Sequence, residues 1–147
     1  VALILSLQTD LLDSQPITTV ETLVRNANFF HIDNLNDPRA TPVMPPATPD
    51  NVTAIGPHSL WLARNSTQGI TYAELVHPAD LVATELDSSD TTTGWRRVRT
   101  KIFPERLEKG VIRRARLCGW FLPSENDEQV AARVARQYLG EPLPLTT

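Results

Sequence analysis

Apolar and polar positions alternate along this chain in short runs. Residues 1 to 8 (VALILSLQ) form an apolar run of strand length, and the polar stretch LLDSQPI ends it at Pro16. From Thr18 two periods compete. Thr18 and Glu21 have capping-box spacing, and Val20, Leu23, Val24 and Ala27 recur at i, i+3, i+4 and i+7, which predicts a short N-terminal amphipathic helix. The β-branched residues of TVETLV offer a strand as the alternative. Phe29 to Ile32 reads as a short aromatic strand. The proline-rich stretch from Asn34 to Pro57 reads as a long surface loop, partly in polyproline form, because proline fixes φ and removes a donor.

Beyond the loop, strand-like runs cover Ser59 to Arg64, Ile70 to Val76, Leu81 to Leu86, Trp95 to Phe103 and Val111 to Leu122. Their separators (NSTQG, HPAD, DSSDTTTG and PERLEKG) are rich in turn residues, which predicts an antiparallel meander. A helix over about 125–139 follows. Ser124 and Asp127 have capping-box spacing and Gly140 stands at the C-cap, while Val130, Val134 and Tyr138, with Ala131 and Ala135, form one apolar stripe. Arg133 and Arg136 face elsewhere, and EPLPLTT leaves the helix in extended form. The fold class is therefore β-rich α+β: an antiparallel sandwich or partly closed barrel, with a short N-terminal helix and a C-terminal helix packed on the sheet.

At 147 residues the chain suits one domain spanning 1–147, and its 41% hydrophobic and 21% charged residues place it in the ordinary soluble class. The apolar runs are too short to span a bilayer. Cys118 is the sole cysteine, so no internal disulfide forms; this favours the cytoplasm slightly over export. The chain starts at Val1 rather than Met, which implies that something upstream is missing from the sequence. Asn51-Val52-Thr53 and Asn65-Ser66-Thr67 match the glycosylation acceptor pattern, a triplet common by chance.

Charge is unevenly placed. Residues 1 to 90 hold eleven acids against three bases, residues 91 to 116 hold nine bases against two acids, and the whole chain nets -3. With period two, Arg97, Arg99 and Lys101 share a strand face with Trp95, while Arg114 and Arg116 share one with Ile112, Cys118, Trp120 and Leu122. A basic hairpin over 95–116 with tryptophans on its face has the composition of an anion or nucleic-acid platform. Glu85 and Asp87 on the preceding strand, with Glu105 and Glu108 in the turn, supply the competing reading in which these cations are paired within the sheet.

His31 and Asp33 share a strand face, with Asp37 in the following turn, a pattern suited to metal binding or acid/base work. Asp37 is equally a turn former. His58 and His77 each stand beside a proline at a strand boundary, and Cys118 sits in an apolar stretch as a small buried hydrophobe. A nucleophile elbow, phosphate loop, zincin motif and paired cysteines are all missing from the sequence, and no cofactor is implied.

The run LEKGVIRRARLCGWFLP from Leu107 to Pro123, followed by SENDEQ and the closing PLTT, resembles C-terminal stretches of uncharacterised bacterial proteins over the last third of the chain. The resemblance implies no activity and carries no functional residues. The leading expectation is a non-catalytic interaction or assembly domain, partnered by protein or by itself. The alternatives are an anion or nucleic-acid binder using Arg97, Arg99, Lys101, Arg114 and Arg116, and a hydrolase-type or metal-assisted enzyme using His31 and Asp33.

Overall fold

A computed structural model of the chain describes residues 1–16, 18–46, 51–55, 60–87, 94–104 and 106–142. Ser59, His58, Glu105, the connection over 88–93 and the terminal LPLTT lie outside the described residues.

Twelve strands are described: β1 (Ala2–Gln8), β2 (Asp13–Ser14), β3 (Thr18–Arg25), β4 (Asn28–Ile32), β5 (Ala40–Val43), β6 (Val52–Ala54), β7 (Leu60–Asn65), β8 (Ile70–Val76), β9 (Leu81–Asp87), β10 (Trp95–Ile102), β11 (Leu107–Glu108) and β12 (Ile112–Pro123). One helix, α1 (Asp127–Gly140), ends them. The strands form a six-stranded sheet in the order β1-β12-β8-β7-β4-β5, a four-stranded sheet β3-β10-β9-β6 and the small pair β11-β2, with antiparallel pairing throughout. The result is a β-rich α+β fold with its helix on a sheet.

Parity explains the layers. In β7 the run Leu60-Trp61-Leu62-Ala63 is buried on both faces, as a central strand requires. Leu60 and Leu62 join Ile32, Ala73, Leu75 and Leu122 beneath Ala131, Ala135 and Tyr138 of α1. Trp61 and Ala63 point the other way, into a cluster with Phe29, Val43, Leu86 and Val98, so this core lies between the two sheets. Val76, Ala115 and Leu117 extend it against Ile102 and Phe103. β12 obeys the expected alternation, with Ala115 and Leu117 toward the other sheet and Cys118, Trp120 and Leu122 toward the helix.

Several expectations are corrected. The N-terminal helix is the strand β3: Thr18, Val20, Thr22 and Val24 are half-buried while Thr19, Glu21, Leu23 and Arg25 are exposed, and all eight residues pair with β10. Branched side chains and a complete ladder outweigh the helical spacing, which leaves Leu23 facing water. Among the described residues neither sheet closes on itself, so the barrel alternative gives way to open sheets. The loop from Asn34 to Pro57 contains β5 and β6, and Pro42 is accommodated because β5 is an edge strand. The meander holds for β7 with β8 and for β9 with β10, but the chain changes sheets between β8 and β9, and the basic hairpin is corrected. β10 belongs to the four-stranded sheet and β12 to the six-stranded one, so they are not partners.

At the start of α1 the N-cap is Asn126 in a left-handed conformation, without a side-chain cap. Ser124 and Asp127 turn instead toward Thr71, and Asp127 also takes Arg64. Gly140 is the last helical residue, and Glu141 caps the helix by donating its N–H to Tyr138 O. Among the described residues no helix is long and apolar enough to cross a membrane.

Candidate functional site: a cleft between the sheets

Tyr72, Glu74 and Val76 occupy the face of β8 that looks at the four-stranded sheet. Glu74 is only 1% exposed. Its Oε2 accepts from Thr22 Oγ1 at 2.7 Å and Tyr72 Oη at 2.8 Å, and its Oε1 accepts from Thr100 Oγ1 at 3.3 Å. The Trp61 side chain donates to it as well. Among the described residues no cation pairs with this carboxyl. Burial pushes its pKa up, and the donors, Thr22 foremost, pull against that shift. Burial and the neighbouring Glu74 charge also raise the Tyr72 hydroxyl well above its ordinary value.

Gly119 stands opposite Glu74 in the ladder. A Cβ there would lie 2.3 Å from Tyr72 Oη, so only glycine lets the phenol lie across β12. Ring contacts then run outward from the core, from Phe29 to Trp61 (6.2 Å between centroids), Trp61 to Tyr72 (5.5 Å) and Tyr72 to Phe121 (5.2 Å). The buried carboxyl thereby holds an aromatic series that ends at the surface.

Above Tyr72 lies a cleft of about 550 Å³, lined by the second half of β3 on one side and by β8 and Phe121 on the other. Its rim includes Leu23, Ile70, Trp95 and Phe121. All four are exposed, Leu23 by 58% and Phe121 by 71%. Arg25 lies over the Trp95 ring at 6.0 Å, and Asn26 N donates to Gly94 O at 2.9 Å, which fastens the end of β3 beside that ring. Apolar side chains supply the larger share of the lining, and Thr22, Tyr72, Arg25, Asn26, Asn65 and Gln68 supply its polar groups. Such an arrangement supplies contact surface and a few fixed polar groups, the makings of a binding cleft.

The residues singled out from sequence are not brought together here. Arg97, Arg99 and Lys101 lie on the outer face of the four-stranded sheet. Arg97 reaches Glu21 at 3.7 Å, Arg99 reaches Glu21 at 3.2 Å and Asp87 at 3.0 Å, and Lys101 reaches Glu85 at 2.7 Å. Arg114 and Arg116 are on β12 in the other sheet. Arg116 is buried: its Nη2 donates to Tyr138 O at 2.7 Å, its Nη1 meets Glu141 at 3.2 Å, and its guanidinium covers the Tyr138 ring at 4.1 Å. The Tyr138 hydroxyl returns a bond to Arg116 O.

His31 Nδ1 and Asp33 Oδ1 are 2.5 Å apart, while Asp37 pairs with Arg39 at 3.5 Å. Neither His31 nor Asp33 lines the cleft. His77 accepts from Ala79 N at 3.2 Å, a turn role. Cys118 packs against the helix-side core, and burial raises its thiol. Among the described residues no group of three or more His, Cys, Asp or Glu is placed to hold a metal ion. Sequence reading missed the cleft, although one signal was present: in ITYAELV an acid shares the apolar strand face of Tyr72 and Val76.

Compared with protein-family models, curated proteins and solved structures, the chain matches none.

Proposed function

We propose that this chain is a non-catalytic interaction domain and that the cleft takes an apolar side chain from an extended segment of a partner protein. The observation that carries the reading is the gathering of exposed Leu23, Ile70, Trp95 and Phe121 around one cleft. Scattered exposed hydrophobes need no explanation, but a contiguous rim around a concavity is the usual form of a contact site. The extended form of the partner follows from β3. Among the described residues this strand lines the cleft and ends its sheet, and its stretch from Thr22 to Val24 carries no charge, so a short extended segment can lie along it there. A side chain of that segment then enters toward Tyr72 and Phe121.

The ion pairs of Arg97, Arg99 and Lys101 support internal neutralisation over polyanion binding. The His31 and Asp33 pair stands apart from the cleft, which favours binding over catalysis at this site.

Calorimetry with capped seven-residue peptides of alternating threonines tests the reading, with Phe, Leu or Asp at the centre. Phe and Leu peptides are expected to bind at least about tenfold more tightly than the Asp peptide, since burying such a side chain is worth about 1.5–3 kcal/mol. Phe121→Ser is expected to abolish that preference while circular dichroism shows the chain still folded, because Phe121 is largely exposed and its ring contact is with Tyr72 at the surface. Equal binding of all three peptides, or an unaffected Phe121→Ser variant, would overturn the assignment.

A further inference from the structure

The four outer strands of the two large sheets are not equally protected. β5 has four residues and carries Pro42, and β6 has three residues. β3 carries Glu21 and Arg25. Short length, proline and charge are the standard devices that stop a free strand edge from pairing with another chain. β1 has none of them. Its sequence ALILSLQ contains no charge, proline or glycine, and it pairs with β12 on its inner side in seven consecutive steps, from Ala2↔Cys118 to Gln8↔Ile112, without a bulge. Among the described residues its other side ends the sheet. Leu3 and Ile4, which point to opposite faces of the sheet, are 41% and 47% exposed.

We infer that β1 is a self-association edge, occupied by β1 of a second copy in antiparallel register about a two-fold axis. The occupant is argued from the strand itself. A two-fold axis normal to the sheet keeps the two faces of the paired strands in common, so residues of the same parity meet. Centring the pair on Leu5 sets Leu5 opposite Leu5 and Leu3 opposite Leu7 on the face that looks toward the four-stranded sheet. Ile4 meets Ser6 and Ala2 meets Gln8 on the helix face. Every opposed pair is uncharged, and the apolar residues of one face meet each other. The same operation on β3 brings Glu21 and Arg25 into the seam and opposes them to each other only in the one register centred on Leu23; every other register leaves them facing uncharged or like-charged residues. Among the described residues β1 is the edge of the two large sheets that has none of these devices along its whole length, so pairing two copies through it uses it up and assembly stops at two. The inference is independent of the cleft reading, since Phe121→Ser leaves β1 untouched.

The experiment is sedimentation of the 147-residue chain over a hundredfold range of protein concentration, with two double variants at exposed positions. Ile4→Lys with Ser6→Lys sets like charges opposite each other twice across the seam. Ile4→Glu with Ser6→Lys sets opposite charges there. The expected result is a concentration-dependent dimer for the native chain, at least a tenfold loss of dimerisation in the first variant and recovery in the second, with circular dichroism showing all three folded. A native chain that stays monomeric, a dimer indifferent to the first variant, failure of the second variant to recover, or growth beyond two copies would each overturn the pairing.

Discussion

Gly119 and Glu74 face each other across one rung of the ladder, and each limits what the other position tolerates. Tyr72 Oη is held at 2.8 Å by Glu74, and its ring is packed between Trp61 and Phe121, so it has no ready retreat from a Cβ at residue 119. Gly119→Ala is therefore expected to destabilise the fold by about 1–3 kcal/mol, the usual cost of overpacking, measured by denaturant unfolding. Glu74 gives a pH dependence. Its folded pKa lies above the ordinary carboxylate value, so the fold prefers the protonated form. Its contribution is fully present below the unfolded pKa and is lost as pH rises through the folded one. Stability measured against pH is expected to fall in the native chain relative to Glu74→Gln above about pH 4.5, the range where an unfolded glutamate begins to ionise. Parallel curves would show that the four donors cancel the effect of burial.

Helix α1 is fixed to its sheet by charge as well as by its alanines. Arg64 Nε and Nη2 hold Asp127 at 2.6 and 2.7 Å, Nη2 also reaches Glu128 at 2.8 Å, and Thr71 donates to Asp127 at 2.6 Å. The Asp127 bond is the first cause of the raised Arg64 pKa. Asp127 is buried at the positive end of the helix, so removing its cation leaves a desolvated carboxylate with too few partners. Arg64→Met is expected to cost about 3 kcal/mol, and adding Asp127→Asn is expected to recover part of it, a coupling that a double-mutant cycle reads directly. The periodicity alone revealed that α1 exists, because acids, alanine stripe and length agree. It did not reveal the anchor, which depends on Arg64 arriving from 63 positions away in the chain. β3 failed for a different reason: Val20 and Val24 fit period two and the helical period alike, Leu23 fits the helical period alone, and only pairing with β10 decides between them. β5 and β6 were hidden because proline marks both loops and edge strands.

At the scale of the molecule, the charge asymmetry was legible and its placement was not. Arg99 and Glu21 meet across 78 positions, and the cleft draws its residues from both sheets, so no local window contains either feature. The placement decides how the chain treats a polyanion. Arg97, Arg99 and Lys101 lie on the outer face of one sheet against Glu21, Glu85 and Asp87, whereas Arg114 and Arg116 belong to the other sheet and Arg116 is committed to the end of α1. Each phosphate contact to duplex DNA adds about −0.9 to the slope of log affinity against log salt. All five cations acting on one duplex would give a slope of about −4 to −5 by that measure. Two of them sit in a different layer and the others must first leave carboxylates. Titration of a short duplex at several salt concentrations is therefore expected to show weak binding with a slope no steeper than about −2. A slope of −4 or beyond would require the ion pairs of the outer face to open and both sheets to present one continuous basic surface. Removing the charge by Glu21→Gln separates these cases: if pairing sets the limit, the released Arg97, with Arg99 then held by Asp87 alone, should steepen the slope, and an unchanged slope would show that Glu21 was never the restraint.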